Sequence, residues 1–363
     1  MNVLFGNFDS LTWQQVVMWI IGALLIYLAI KKDMEPTLLL PMGFGAILVN
    51  LPNSGAVEVV EEIFNFGIAS ELFPLFLFIG IGAMMDFGPL LTNPKLMLFG
   101  AAAQFGIFMT LSFAALFGFD MKDAASIAII GAADGPTSIA VATKLGTDYI
   151  GAIIVAAYSY MALVPIVQPP VIRLITTKKE RRIRMTYEGK DIPKFTRICF
   201  PVVVTAITGL FAPDAVALVG FLMFGNLIRE CGVLDSLSDA AQNILSKLIT
   251  LLLGITVAAR MQAEAFLRPD TLLILALGLF AFVFDTVGGV LLAKVMNLFL
   301  RKKINPMIGA AGISAFPMSS RVVHKMGLKE DPQNFLLMHS AGANVSGQIA
   351  SVIAGGLILN FML

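Results

Sequence analysis

Apolar positions along this chain run in long blocks separated by short polar punctuation, without the alternation of a half-buried strand. The blocks fall near 15–31, 36–52, 71–92, 96–118, 124–143, 148–175, 198–227, 240–260, 271–299, 306–323 and 334–362. A membrane helix needs about 20 apolar residues. The pattern therefore predicts an all-α polytopic membrane protein with about ten to eleven transmembrane or re-entrant segments. Several blocks hold too much Gly and Pro for plain helices. Residues 36–68, with Pro41, Gly43, Gly45 and a polar tip, read as a re-entrant hairpin. Composition agrees: 58% of the 363 residues are hydrophobic and 13% charged, against about 45–50% and about 25% in soluble domains. That excludes a soluble globule and a disordered chain. The net charge of +1 gives no electrostatic reason to bind nucleic acid. Cys199 and Cys231 make neither a disulfide framework nor a zinc cluster. The opening MNVLFGNFDSLTWQQ lacks the basic region of a signal peptide.

Charge then orients the chain. Residues 173–197 hold nine of the 25 Lys and Arg: Arg173, Lys178, Lys179, Arg181, Arg182, Arg184, Lys190, Lys194 and Arg197. By the positive-inside rule the 176–197 loop is cytoplasmic, either as a topology anchor or as a docking surface for a cytoplasmic partner. It divides the chain into N-terminal spans at 1–68, a first membrane unit at 69–175, the loop itself, and a second unit at 198–363. The units repeat. IGAADGPTSIAVATKLG begins at Ile130, and IGAAGISAFPMSSRVVHKMG begins at Ile308. Pro136 precedes Gly146 by ten residues, as Pro317 precedes Gly327, and Lys144 matches Lys325. Duplicated halves, each with a Gly/Pro-interrupted helix, are the plan of secondary transporters, with inverted repeats the expected form. Unwound backbone survives in lipid only where it is buried or lines a polar cavity. Inversion would separate the 178–184 cluster from Arg301-Lys302-Lys303 unless a segment is re-entrant.

The breaks carry the candidate chemistry. Asp134 sits within A-A-D-G-P inside a candidate span. A carboxylate there costs roughly 2.5–3.5 kcal/mol, so it needs a cation, a proton or a dipole; a packing Asp satisfied by a neighbouring helix is the plainer alternative. Gly135 and Pro136 break the helix, and the hydroxyls of Thr137 and Ser138 return to the same face. Such an all-oxygen set suits a hard cation, and one carboxylate suits sodium or a proton. The second break offers Asn305, Gly309, Ser314, Pro317 and Arg321. Arg321 could meet a carboxylate or snorkel to headgroups. The last span carries a polar stripe of Ser340, Asn344, Gln348 and Ser351, with Gly347 allowing close backbone approach and Asn344 the best cation ligand. Helix packing is the alternative there. Tyr160 could donate a proton or cap a carbonyl. Asp86 and Asp285 lie outside the breaks, and His324 and His339 show no metal pattern. No P-loop is present, so energy must come from a gradient or from chemistry supplied elsewhere.

GAADGPTSI, NPMIGAAGISAFPMSSR and EDPQNFLLMHSAGANVSGQIAS resemble the signature segments of the beta subunits of sodium-translocating, biotin-dependent decarboxylases. The resemblance runs from about residue 70 to the C-terminus. It implies a membrane subunit that decarboxylates carboxybiotin, carried by a partner alpha subunit, and exports sodium across the bacterial cytoplasmic (inner) membrane. It also implies a small single-span gamma or delta subunit, and leaves open a homo-oligomer of the beta subunit. The family's coupling acid falls on Asp134 and its functional Tyr on Tyr160. Its second-break residues fall on Asn305, Gly309, Ser314 and Arg321, and its last-span Asn on Asn344. Oxaloacetate decarboxylase beta subunits carry extra N-terminal sequence, so the shorter chain leans toward the methylmalonyl-CoA or glutaconyl-CoA enzymes. Asp134, Tyr160 and Arg321 are the expected catalytic residues. Asp134, Thr137, Ser138, Asn305, Ser314 and Asn344 are the expected sodium ligands. Without the resemblance, a sodium/proton antiporter or a carboxylate symporter would fit the same broken repeats.

Overall fold

The computed structural model describes residues 10–187, 189 and 191–363. Lys190 of the basic loop and residues 1–9 of the N-terminal unit lie outside the described residues. The described chain is helical, with no strand among the described residues. The first half comprises α1 (Trp13–Lys32), α2 (Pro36–Val49), α3 (Ala56–Ala69), α4 (Leu72–Met84), α5 (Pro94–Leu116), α6 (Met121–Ala128), α7 (Gly135–Leu145) and α8 (Ile150–Ile175). The second comprises α9 (Lys194–Phe211), α10 (Val216–Cys231), α11 (Asp235–Arg260), α12 (Pro269–Phe299), α13 (Met307–Ala310), α14 (Met318–Glu330) and α15 (Leu337–Met362).

Local chemistry sets many of these boundaries. Thr12 and Gln15 form a capping box at the start of α1, satisfying two amides that have no partner within the helix. Lys31 and Lys32 occupy its last turn, where cations favour the helix dipole. Pro36 opens α2 and Pro136 opens α7, positions where a missing amide costs nothing. Between α3 and α4 the axis bends by 58° at Glu71, whose φ is +64°.

Among the described residues, seven helices are long and apolar enough to cross a membrane, or eight if the bent α3–α4 pair is one span. The ten or eleven segments expected from the sequence are not all of that kind. At 14 residues, α2 is about 21 Å long, short of the roughly 30 Å hydrocarbon core. The segments at 124–143 and 306–323 are broken pieces. The length of an apolar block does not reveal whether its backbone runs straight.

The halves pack in corresponding pairs. Helix α1 lies on α2 as α9 lies on α10; α4 on α10 as α11 on α2; α8 on α12 as α15 on α5. Helices α7 and α14 each pack on both α8 and α15. The broken segments fold back on themselves. Asp123, at the start of α6, accepts a 2.5 Å hydrogen bond from Thr147, just past α7. Asn305, before α13, donates to the Arg181 and Ile183 carbonyls at 2.9 Å each, and Arg181 pairs with Glu330 at the end of α14 at 2.7 Å. Each broken segment thus begins and ends at one end of the bundle. The 178–184 cluster shares its end with Asn305 and the neighbouring Arg301-Lys302-Lys303.

The basic loop is bound down by the second half. Arg184 forks onto Asp331 at 2.6 and 3.0 Å and reaches Gln333 at 2.6 Å. Lys294 lies 3.3 Å from Glu180 and donates to the Ile175 carbonyl at 2.9 Å. The Arg184 bond holds Asp331 below the usual carboxylate range. For Glu180, burial raises the value, but hydrogen bonds from Thr177 and Lys294 outweigh it and leave the carboxyl lowered. Lowered carboxylates contribute stability that is complete above their unfolded values and is lost as pH falls through the folded values. Acidification below about pH 4 should therefore release residues 176–187 before the bundle melts. Hydrogen exchange across a pH series should show protection falling first in this loop.

Candidate functional site

The site forms where the two breaks meet. In the first, Ile129–Ala132 tightens into a 3₁₀ turn and Ala133 takes a left-handed φ of +52°. Asp134 is extended before helix resumes at Gly135. Its side chain is only 3% exposed. Three donors converge on Oδ2: Thr137 at 2.5 Å, Gln348 at 2.9 Å and Ser351 at 3.3 Å. All three are neutral. Among the described residues no Lys, Arg or His pairs with Asp134 within 4.0 Å. A buried carboxylate supplied with dipoles but no fixed counter-charge is suited to hold a mobile cation.

The second break reaches the first through Ser314. Its hydroxyl donates to the Ala132 carbonyl at 2.5 Å and its amide to the same oxygen at 3.3 Å. Ser138 donates to the Asp134 carbonyl at 2.9 Å. Asn344 donates to the Ile313 carbonyl at 2.6 Å, while its Oδ1 is buried without a partner. That orphan oxygen and the Asp134 carboxylate are hard-cation donors. Glycine lets the backbones come this close. A Cβ on Gly347 would lie 2.0 Å from the Gly312 carbonyl oxygen, one on Gly309 2.0 Å from that of Gly289, and one on Gly135 2.3 Å from the Tyr158 ring.

A cavity of about 260 Å³ runs from Asp134, Ser314 and Gln348 to Arg321 and Glu35. Beside it lies a vestibule of about 400 Å³, lined by Arg173, Lys325 and Lys329 together with Asp33. Glu35, Met318 and Arg321 line both spaces. Arg321 thus stands where the two spaces adjoin, near the basic residues Arg173, Lys325 and Lys329.

The expected site residues do not all gather here. Asp134, Pro136, Ser314, Pro317 and Arg321 line the cavity, Thr137 bonds Asp134, and Asn344 and Ser138 bond the break carbonyls. Asn305 is elsewhere, its amide spent on the basic loop. The Tyr160 hydroxyl donates to the Leu275 carbonyl on α12, and Tyr160 lines neither space. Tyr158, not singled out in the sequence, packs its ring on Gly135, and its hydroxyl is buried without a partner. The polar stripe on the last span does carry the Asp134 donors, but they are Gln348 and Ser351. Asp285, 1% exposed, lies against Gly106 and Gly131, outside the cavity. Glu35 was legible only as the last acid before Pro36.

Removing the Ser314 hydroxyl would leave the buried Ala132 carbonyl only the longer bond from the Ser314 amide, at a cost of about 0.5–1.5 kcal/mol. Ser314→Ala should lower the thermal midpoint of the detergent-purified protein, whereas Ser54→Ala, outside the breaks, should not.

The family model for Na+-transporting oxaloacetate decarboxylase beta subunits matches residues 14–362. The chain is 49% identical to the methylmalonyl-CoA decarboxylase subunit beta of Veillonella parvula over 354 residues, covering 98% of this chain and 95% of that one. It is 48% identical to the glutaconyl-CoA decarboxylase subunit beta of Acidaminococcus fermentans over 356 residues, again 98% and 95%. It is 44% identical to the oxaloacetate decarboxylase beta chain of Klebsiella pneumoniae over 413 residues, 96% and 95%. An alignment of 413 residues exceeds the 363 of this chain. The extra length of that relative therefore includes insertions within the aligned region.

Proposed function

This chain belongs to the family of sodium-transporting decarboxylase beta subunits, and from that membership we propose that it decarboxylates a carboxyl group borne on the biotin of a partner alpha subunit and couples the loss to sodium export. As a member of that family it is a decarboxylase subunit and a multi-pass membrane protein. The remaining assignments are our reading. The membrane is the bacterial inner membrane, and the basic end, with the 176–197 loop, is cytoplasmic. Each broken segment doubles back, one from each end, which supports re-entrant hairpins in inverted repeats. On this reading both basic clusters can be cytoplasmic. A gamma or delta subunit of one span completes the complex.

The observation that carries the proposal is the cavity joining Asp134 to Arg321. Carboxylated biotin supplies an activated carboxyl group whose loss releases free energy. Arg321, where the two spaces adjoin, orients that carboxylate. Asp134, with Thr137, Ser314 and Asn344, holds sodium deeper in. Asn305 acts at one remove, by tying the basic loop to the second break. Tyr160 likewise acts through the packing of α8 on α12. Moving one charge against 100 mV costs about 2.3 kcal/mol, a cost that decarboxylation covers. A methylmalonyl-CoA or glutaconyl-CoA substrate is favoured over oxaloacetate because this chain aligns with those two beta subunits with almost no added length.

Inverted vesicles containing the natively purified complex should take up sodium when a decarboxylation substrate is added, and avidin should abolish uptake. Asp134→Asn should remove uptake as well. Uptake that ignores avidin but follows an imposed proton or carboxylate gradient would make the protein a secondary transporter.

A further inference from the structure

The proposed reaction needs a proton at the nitrogen that loses its carboxyl group, and Tyr160 is not placed to give it. Its hydroxyl is committed to the Leu275 carbonyl and lies outside both spaces. The size of the spaces also matters. Ligand pockets usually run from about 300 Å³ upward. The 400 Å³ vestibule can take a ring system, while the 260 Å³ inner cavity suits an ion and its waters. The reacting carboxylate then sits where the two spaces adjoin, beside Arg321. Two acids line the vestibule, Asp33 and Glu35, and Glu35 alone of the two reaches the inner cavity.

Resting on the reading above, we infer that Glu35 is the general acid of the decarboxylation. Its carboxyl is not spent on its own helix. Glu35 occupies the position before α2, yet its side chain makes no capping bond there, and its backbone sits at a left-handed φ of +39°. Strain at a non-glycine residue beside a site is a common companion of function. Burial raises its carboxyl above the ordinary value of 4.5; Arg321 opposes the rise and Asp33 adds to it. The charged groups around it are Asp33 on the same turn, Arg173 on α8, Arg321, Lys325 and Lys329 on α14, and Lys247 on α11. An incoming carboxylate at Arg321 would screen that guanidinium and favour the neutral acid further. Glu35 then gives its proton to the ureido nitrogen as the N–C bond breaks and leaves its electron pair there. Carbon dioxide departs, and Glu35, now a carboxylate, regains a proton from vestibule water. The protonated form is the active one, so the rate falls as pH rises through its raised value.

In the intact complex, Glu35→Gln should lower kcat by roughly 10²-fold or more, the usual reach of a general acid. The KM for the decarboxylation substrate should stay within a few-fold, and the alkaline fall in rate should flatten. Glu35→Asp should restore part of the rate, and Glu62→Gln, on α3 and outside both spaces, should keep kcat within threefold. A second readout needs no biotin. Infrared titration of the purified beta subunit should show, in the difference between wild type and Glu35→Gln, a protonated carboxyl component that persists above the ordinary value of 4.5. A kcat within threefold of wild type, a loss confined to KM, or an unchanged infrared band would each overturn the assignment. Avidin inhibition of the wild-type complex, measured separately, reports on the biotin reading by itself.

Discussion

Lipid offers no hydrogen bonds, and most of what is distinctive in this molecule follows from that. Two helices are interrupted in the membrane interior, and every carbonyl and amide they free must find a partner within the protein. The interruptions solve the problem by meeting. Ser314 at the second break closes on the Ala132 carbonyl at the first, and Asn344 closes on the Ile313 carbonyl. Glycines at 309 and 347 bring the surrounding backbones into direct contact. The satisfied carbonyls leave the Asp134 carboxylate as the one strongly charged group at the junction. With three neutral donors on a single oxygen it is oriented but not neutralised. On the proposed function, a cation bound there would complete the site, and its departure would return the cost of burying the charge. This makes the junction a place where occupancy and conformation can be tied together.

The separation of the two spaces gives the coupling a physical form. Arg321 and Glu35 stand where a vestibule on the basic side adjoins a smaller cavity lined by Asp134. On the proposed function, decarboxylation beside Arg321 would change the charge balance that a sodium ion at Asp134 feels. Low effective dielectric strengthens such effects relative to water. Each re-entrant element packs on both long helices α8 and α15, so a shift in either break is carried into both halves. Alternating exposure of the sodium site then requires movement of packed units against each other, not the unfolding of any helix.

Much of this architecture could be read from residues. The spacing of Pro136–Gly146 against Pro317–Gly327 suggested the duplication, and the helices of the two halves pack in corresponding pairs. The A-A-D-G-P run located the buried acid, and the stripe from Ser340 to Ser351 located the helix that would face it. Other features depend on long-range placement, which periodicity does not encode. Asn344 looked like the best cation ligand on the stripe and has a buried oxygen without a partner, while Gln348 and Ser351, one and two turns further along, are the residues that bond Asp134. Asn305 looked like a member of the site but is held by Arg181 and Ile183, 120 residues and more away in the chain. Glu35 sits in a part of the sequence with little distinguishing pattern, and only the juxtaposition with Arg321 gives it meaning. The doubling-back of the broken segments was likewise invisible in hydropathy, which measures apolar length and not direction.

The central claim is that the junction of the two breaks is a sodium site built on Asp134. Calorimetric titration of sodium chloride into the purified beta subunit, against choline chloride, tests it most directly. The account predicts saturable sodium binding in the wild type that disappears in Asp134→Asn, while that variant keeps its thermal midpoint. Equal sodium binding by both proteins would place the ion elsewhere and contradict the account.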